Sequence, residues 1–487
     1  MRERWGSRFI FILASIGSAA GLGNIWRFPY MAGKYGGGAF LVPYFIILFL
    51  LGIPLLILEF GLGQKMQRGA IAAFAKIKNK FSGLGFGALC VGFAVSTYYT
   101  VIMAWTLIYF VYAFTLEWGS DTSTFFYDNV LHVSSPGSIT SIVPIVLIAL
   151  VIVWIIIYFS VWKGLKSIGR LMEIIIPIPL LLLAILFIQG VLLPNSWAGL
   201  YYFLNPNFSV LLDIEVWMVA AGQIFFSLSI GFGIMIAYAS FRSKKDDIVK
   251  NAFIISLSDS FIAVLGGLVV FSTLGFMAMQ EGVLVSELAA SGPALAFIVF
   301  PKALSLVPLA PVFAVIFFLT LFLLALSSEI SMVEAIQTVI TDRFPKWKKE
   351  LVILCICLAS FAVGIIYTTD GGIYILDIVD HFVVDYGLLI VGFSEAMIIG
   401  WIFGADKLRK YISKVSDWSL GSYFNYLIKI IVPFGILFML VYQFGTDIIK
   451  PYENYPLWTI LAFGWAILGL IILLSFIVSA FTKRKKW

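Results

Sequence analysis

The sequence predicts an all-α polytopic membrane protein, a single transmembrane domain over residues 1–487 with twelve membrane helices. Two observations carry this. Hydrophobic residues make up 61% of the chain and charged residues 12%, about half the charged share of a soluble domain. Apolar runs of about twenty residues, each long enough to cross a bilayer as a helix, recur along the whole length. A β-barrel would show short alternating segments instead.

The first run begins near Phe9 and is interrupted by GSAAGLGNIWRFPY (residues 17–30), where glycines, alanines, an asparagine and an arginine replace lipid-compatible residues. It is too long and too interrupted for a cleaved signal peptide. The second and third runs begin near Phe40 and Gly85, and the fourth near Ser141, after an outside stretch at 117–140. The fifth begins near Lys166 and carries Pro177 and Pro179, whose plain reading is a kink. The sixth, from about Asp213, contains GQIFFSLSIGFG, and the seventh begins near Ile248. Between the seventh and the eighth, which begins near Leu306, SGPALAFIVFPKAL is apolar enough to fold back on the protein as a lid. The last four begin near Leu351, Tyr374, Tyr426 and Leu457. The three cysteines, Cys90, Cys355 and Cys357, fall in apolar runs and read as packing residues.

Topology follows from the basic residues. With the N-terminus inside, all but five of the 32 Lys and Arg (Arg27, Lys34, Lys302, Lys429 and Lys450) fall on inside segments, and residues 117–140 carry none. The positive-inside rule then places both termini in the cytoplasm of a cell inner or plasma membrane. The net charge of +6 is a topology signal and argues for no nucleic-acid partner.

Glycines interrupt run 1 at Gly17, Gly21 and Gly23, and run 6 at Gly222, Gly231 and Gly233. The two runs lie five helices apart, so the halves, about 8–191 and 213–403, enter the membrane from opposite sides. Helices over about 425–481 are additional. Irregular backbone at membrane depth is tolerated only inside protein or along a cavity. Unwinding frees carbonyls for a cation and amides for a carboxylate. Paired interrupted segments therefore point to a transporter's binding site.

WGSRFIFILASIGSAAGLGNIWRFPYMAGKYGGGAFLVPYF, GQIFFSLSIGFG and WIFGADK resemble the first, sixth and tenth helices of the neurotransmitter:sodium symporter family. The resemblance covers essentially the whole chain. Its compact loops are similar to the prokaryotic amino-acid branch rather than the animal monoamine branch. The resemblance implies the LeuT-type fold, a 5+5 inverted repeat with helices 1 and 6 broken. It also implies a sodium-coupled symporter importing a neutral, aliphatic amino acid by alternating access, with sodium ions and the lipid bilayer as partners and no cofactor. Homo-oligomerisation is left open. The alternatives are a proton- or ion-coupled exchanger on the same fold and a membrane enzyme. The enzyme reading is disfavoured because His132 and His381 are the two histidines and no nucleophile–base–metal grouping occurs.

Carried over residue by residue, the resemblance implies a first sodium site from Ala19, Asn24, Ser227 and Asp259, where relatives commonly have asparagine at the last position. It implies a second from Gly17, Ala20, Leu324, Ser327 and Ser328. Oxygen ligands suit a hard cation. Read from the residues, Asn24 has a packing hydrogen bond as its plain alternative, and Ser327 and Ser328 have bonds back to their own helix. For the substrate, amides at Leu22 and Gly23 with the Tyr99 hydroxyl would receive the carboxylate. Carbonyls of Ala19, Phe226 and Ser227 and the Ser229 hydroxyl would receive the amine. Val95, Phe226, Phe232, Ser328 and Met332 would bound the side chain. The alternatives are interfacial anchoring for Tyr98 and Tyr99 and lipid-facing bulk for the phenylalanines. The implied gates are Arg27 with Asp380 and Gln223 outside, and Arg2 with Asp342 and Ser240 inside. Phe241 replaces a tyrosine common in relatives. Ala263 stands where animal members place a chloride-binding serine, which implies chloride independence.

Overall fold

The computed structural model describes residues 3–288 and 294–482. Each predicted run has a helical counterpart. Helix α1 is a bent pair, α1a (Arg8–Ala19) and α1b (Leu22–Lys34), whose axes meet at 64°. The Ser7 side chain caps α1a by accepting the Ile10 amide at 3.1 Å. Among the described residues ten helices are long and apolar enough to cross a membrane. Five of them are α2 (Gly38–Met66), α3 (Asn79–Tyr112), α4 (Pro144–Val161), α5 (Leu165–Val191) and α7 (Val249–Glu281). The other five are α8 (Ala310–Arg343), α9 (Lys349–Thr368), α10 (Gly372–Val415), α11 (Tyr423–Asn454) and α12 (Leu457–Thr482). The sixth predicted run is two short helices, α6a (Ile214–Ser227) and α6b (Ile234–Ser240), separated by irregular backbone.

The buried core explains the order of these helices. Protein covers 78% of the apolar stretches of α3 and α7 but only 17% of that of α12. The first two are therefore central, while α12 presents Leu470, Leu473 and Phe476 outward, as a lipid-facing helix must. Helix α3 extends further toward its N-terminus than the sequence predicts, and α8 begins later, at Ala310. The kink foreseen in α5 falls between Ile175 and Pro177, the ring removing one ladder donor. Of the predicted lid, residues 291–293 lie outside the described residues. The rest is a short apolar helix, Leu295–Ser305. Its Phe297 packs among Trp26, Trp105, Tyr109, Phe126 and Phe318, and its Phe297 carbonyl accepts the Tyr109 hydroxyl at 2.8 Å.

Close backbone contact fixes α6b. A Cβ on Gly63 of α2 would lie 2.1 Å from the Ile236 carbonyl oxygen, so the two helices touch where only glycine fits. Gly63→Ala is expected to cost about 1–3 kcal/mol through overpacking, read as a lower melting temperature of the purified protein. Gly445→Ala, where a Cβ meets nothing within 4 Å, should leave it unchanged.

Candidate functional site

The two interruptions face each other at the centre of the bundle. In α1 the ladder stops at Ala19. Ala20 (φ −76°, ψ 98°) and Gly21 (φ −122°, ψ −163°) are extended, and the chain re-enters helix at Leu22. In α6 the break passes through left-handed backbone at Ser229 (φ 54°), Gly231 (φ 82°) and Gly233 (φ 72°). Glycine adopts this conformation without cost; Ser229 is held there by its side chain, which donates to the Ser18 carbonyl at 2.9 Å.

Freed backbone amides have side-chain partners. The Gly21 N–H donates to Asn24 Oδ1 at 3.1 Å, and the Leu22 N–H to the Tyr99 hydroxyl at 3.1 Å. The Gly231 N–H donates to Glu59 Oε1 at 2.8 Å. Glu59 was not among the sequence-predicted site residues. Its available signal was an acid inside the apolar run LLILEFGLG, where an ionisable group is costly.

Asn24, Ser227 and Asp259 form one buried polar cluster joining α1b, α6a and α7. Asn24 Nδ2 donates to Asp259 Oδ1 at 2.8 Å and to its carbonyl at 3.1 Å. Ser227 Oγ donates to Asp259 Oδ2 at 2.7 Å and lies 3.5 Å from Asn24 Oδ1. Asn24 thus makes an interhelical hydrogen bond, and the partner it finds is a carboxylate. The second predicted cluster lies between α1a and α8. Ser328 Oγ is 3.3 Å from the Gly17 carbonyl and 3.4 Å from that of Leu324, and Ser327 Oγ donates to Leu324 at 2.8 Å. Both serines bond back to their own helix, and Ser328 also reaches across to α1a. Ala20, the remaining member, is buried at the α1 break.

Between the clusters is a small cavity of about 10 Å³, lined by Ala19, Gly23, Tyr99, Phe226, Ser229, Phe232, Ser328 and Met332 from the predicted substrate set, by Asn24 from the predicted first sodium site, and by Ser18 and Gly21 beyond them. Its volume is room for about one water. Leu22, Val95 and Ser227 are buried beside the cavity but do not line it. Tyr98 and Tyr99 are buried, as is Phe232, so neither interfacial anchoring nor a lipid-facing position describes them. Gly23 faces the Phe226 ring, 3.3 Å from where its Cβ would be.

The gate residues differ in detail from expectation. Arg27 lies over the Phe226 ring, 5.4 Å from its centroid. Its nearest carboxylate is Asp385, at 3.8 Å, and Asp380, the expected partner, is a second negative charge close to it. Asp380 also accepts the Tyr98 hydroxyl. The π-helical turn Val383–Leu388 inserts an extra residue into α10 and brings Asp385 round to Arg27. Gln223 reaches the Gly23 carbonyl at 3.5 Å rather than Arg27. Inside, Arg2 lies outside the described residues. Asp342 accepts the Gly69 N–H at 2.7 Å, and Ser240 bonds to the Ala237 carbonyl at 2.5 Å. Trp5 is buried against Tyr238 and Phe241 and donates to the Tyr238 carbonyl at 3.0 Å, so the Phe241 ring is used in packing.

Comparison with known proteins gives these residues a context. The family model described as the sodium:neurotransmitter symporter family matches residues 2–122 and 117–485. The chain is 40% identical to an uncharacterised sodium-dependent transporter of Methanocaldococcus jannaschii, over all of this chain and 98% of that one. It is 33% identical to the sodium- and chloride-dependent GABA transporter 2 of Rattus norvegicus, covering 95% of this chain and 84% of that one. It is 34% identical to the sodium- and chloride-dependent creatine transporter 1 of Homo sapiens, covering 96% and 81%.

A Cβ on Gly21 would stand 2.8 Å from the Tyr99 hydroxyl and 2.9 Å from Ser328 Oγ. Gly21→Ala is therefore expected to push these two groups out of the cavity wall and abolish ligand-induced thermal stabilisation while the protein still folds. A variant that keeps its full stabilisation would show the close approach to be unimportant.

Proposed function

The chain belongs to the sodium:neurotransmitter symporter family, and from that premise we propose that it imports a neutral, aliphatic amino acid with sodium, by alternating access and without chloride. The observation that carries this reading is the pairing of two oxygen clusters with a small, largely apolar cavity at the breaks of α1 and α6. Asn24, Ser227, Asp259 and the Ala19 carbonyl would hold one sodium ion. The carbonyls of Gly17, Ala20 and Leu324 with Ser327 and Ser328 would hold the other. Hydroxyl and carbonyl oxygens suit a hard monovalent cation. Each ion would join helices from different parts of the bundle, so binding favours the conformation in which these helices are assembled.

The substrate carboxylate would take the Leu22 and Gly23 amides and the Tyr99 hydroxyl, and the amine the α6 carbonyls and Ser229. Phe226, Phe232 and Met332 leave no fixed charge on the lining, so a charged side chain would be desolvated without a partner. Arg27 would close the site from outside, and the N-terminal segment with Asp342 and Ser240 from inside. Both termini would lie in the cytoplasm.

Reconstituted protein should take up labelled amino acid only with an inward sodium gradient, and Asn24→Ala or Ser328→Ala should raise the sodium concentration needed. Competition among all twenty amino acids should favour small to medium aliphatic ones. Sodium-independent uptake, or displacement by lysine or glutamate alone, would sink the reading.

Chloride independence rests on Asp259 and Ala263. Ala263 is buried one turn beyond Asp259 and offers no hydroxyl. An ionised Asp259 already supplies the negative charge that a bound cation needs. A chloride 4 Å away would meet repulsion of about 4 kcal/mol at an effective dielectric of about 20. Replacing chloride by gluconate should leave wild-type uptake unchanged. Asp259→Asn should weaken it, and adding Ala263→Ser should confer a chloride response. Collapse of wild-type uptake in gluconate would show the charge argument to be wrong.

A further inference from the structure

Beneath the extracellular mouth, Arg27 is the visible end of a longer chain of contacts. Asp385 Oδ1 faces Arg27 at 3.8 Å, and its other oxygen, Oδ2, faces His381 Nδ1 at 3.1 Å. The opposite ring nitrogen, Nε2, lies 2.7 Å from Asp447 Oδ2. Asp447 belongs to α11, and it also accepts the Tyr386 hydroxyl at 2.7 Å and the Gln443 amide at 3.3 Å. The imidazole is stacked on Tyr452, with ring centroids 3.8 Å apart and planes 12° from parallel. The Tyr452 hydroxyl is in turn committed to Asp377 at 3.1 Å. His381 and Asp447 are nearly inaccessible to solvent.

We propose that His381 is a positioning residue of the outer gate: held by Asp447 and Tyr452, it fixes Asp385, which shares Arg27 with Asp380. This rests on reading Arg27 as the outer gate. A neutral imidazole has one N–H and one lone pair. Both ring nitrogens here face carboxylate oxygens, so both contacts are attractive only in the imidazolium. Asp385 then bridges two cations, one oxygen to each, and its rotamer is set. Loss of the ring proton leaves one N–H. The shorter contact, to Asp447, keeps it, and Asp385 faces a lone pair. Partly exposed to water, Asp385 is then free to turn away from Arg27. The charged and titratable groups around the ring are Asp380 and Asp385 on α10, Asp447 on α11, the Tyr386 and Tyr452 hydroxyls, Asp377 behind Tyr452, and Arg27 beyond Asp385. His381 thereby ties α11, outside the two interrupted helices, to the gate over them.

The test uses the full chain reconstituted in liposomes, with Cys90, Cys355 and Cys357 replaced and Met332→Cys introduced as a reporter in the cavity wall. A membrane-impermeant methanethiosulfonate reagent, added outside in sodium, reads gate opening as a labelling rate. All rates are divided by that of the same reporter in Asp385→Asn, which cancels the thiol's own pH dependence. With His381 present, the relative rate should rise several-fold between about pH 7 and pH 10. His381→Gln should raise it at the lower pH and flatten the profile. Adding His381→Gln to Asp385→Asn should change little, since both act through one contact. Asp447→Asn, which leaves His381 and Asp385 in place, should move the rate in the same direction and carries the comparison where His381→Gln does not fold. A flat wild-type profile, or His381→Gln and Asp385→Asn effects that multiply, would overturn the proposal. A failure of sodium-dependent uptake with this pH behaviour intact would instead count against the transport reading.

Discussion

Backbone that leaves a helix inside a membrane has no water to turn to, so each freed amide and carbonyl must be answered by the protein. The centre of this molecule is organised by that demand. The break in α1 survives because Asn24 answers Gly21 and Tyr99 answers Leu22. The break in α6 survives because Glu59 answers Gly231. These side chains come from α1b itself, α3 and α2. Two of the three partners thus come from continuous helices, and α3 is among the most deeply covered. An unanswered buried donor costs about 1–3 kcal/mol, enough for a few lost partners to consume much of a typical folding free energy.

The same side chains build the site. Asn24 spends its oxygen on Gly21 and its nitrogen on Asp259, so one residue both closes the backbone break and orients the carboxylate beside it. Tyr99 stands between the Leu22 amide and the cavity. Structural repair and ligand contact are therefore not separable here. A ligand that engages these groups competes with, or completes, bonds that already stabilise the irregular segments. In the proposed reading, binding energy would in this way be coupled directly to the arrangement of α1 and α6, the coupling a conformational cycle requires.

Much of this was legible in the sequence. The glycine-interrupted runs fixed where the breaks lie, because glycine is needed at φ 82° and φ 72° and where Tyr99 and Ser328 crowd Gly21. The membrane helices followed from apolar length alone. What was not legible was side-chain partnership across the bundle. That Asp385 joins Asp380 beside Arg27 goes with a π-helical turn in α10, and nothing in the local sequence announces one extra residue per turn. Glu59 was visible as an acid in an apolar run, yet its partner, an amide in α6, is 172 positions away. The cavity boundary was also blurred: Val95 and Leu22 lie in the right region but behind the wall, a distinction set by helix rotation that a heptad-level pattern does not resolve.

The contrast between core and gate has an energetic logic. The aromatic cluster around Phe297 and Tyr109 and the glycine contacts between α2 and α6b are close-packed, and close packing resists intermediate displacements. The proposed outer closure is different. Its nearest ion pair is at 3.8 Å, longer than a hydrogen bond, and Asp385 is partly exposed to water, which weakens such a contact. A latch of that strength can be made and broken many times without threatening the fold, whereas the buried cluster of Asn24, Ser227 and Asp259 cannot be separated without stranding polar groups. Motion is therefore expected to concentrate where the contacts are cheap, at the surfaces above and below the breaks. The breaks themselves move as units with the helices that satisfy them.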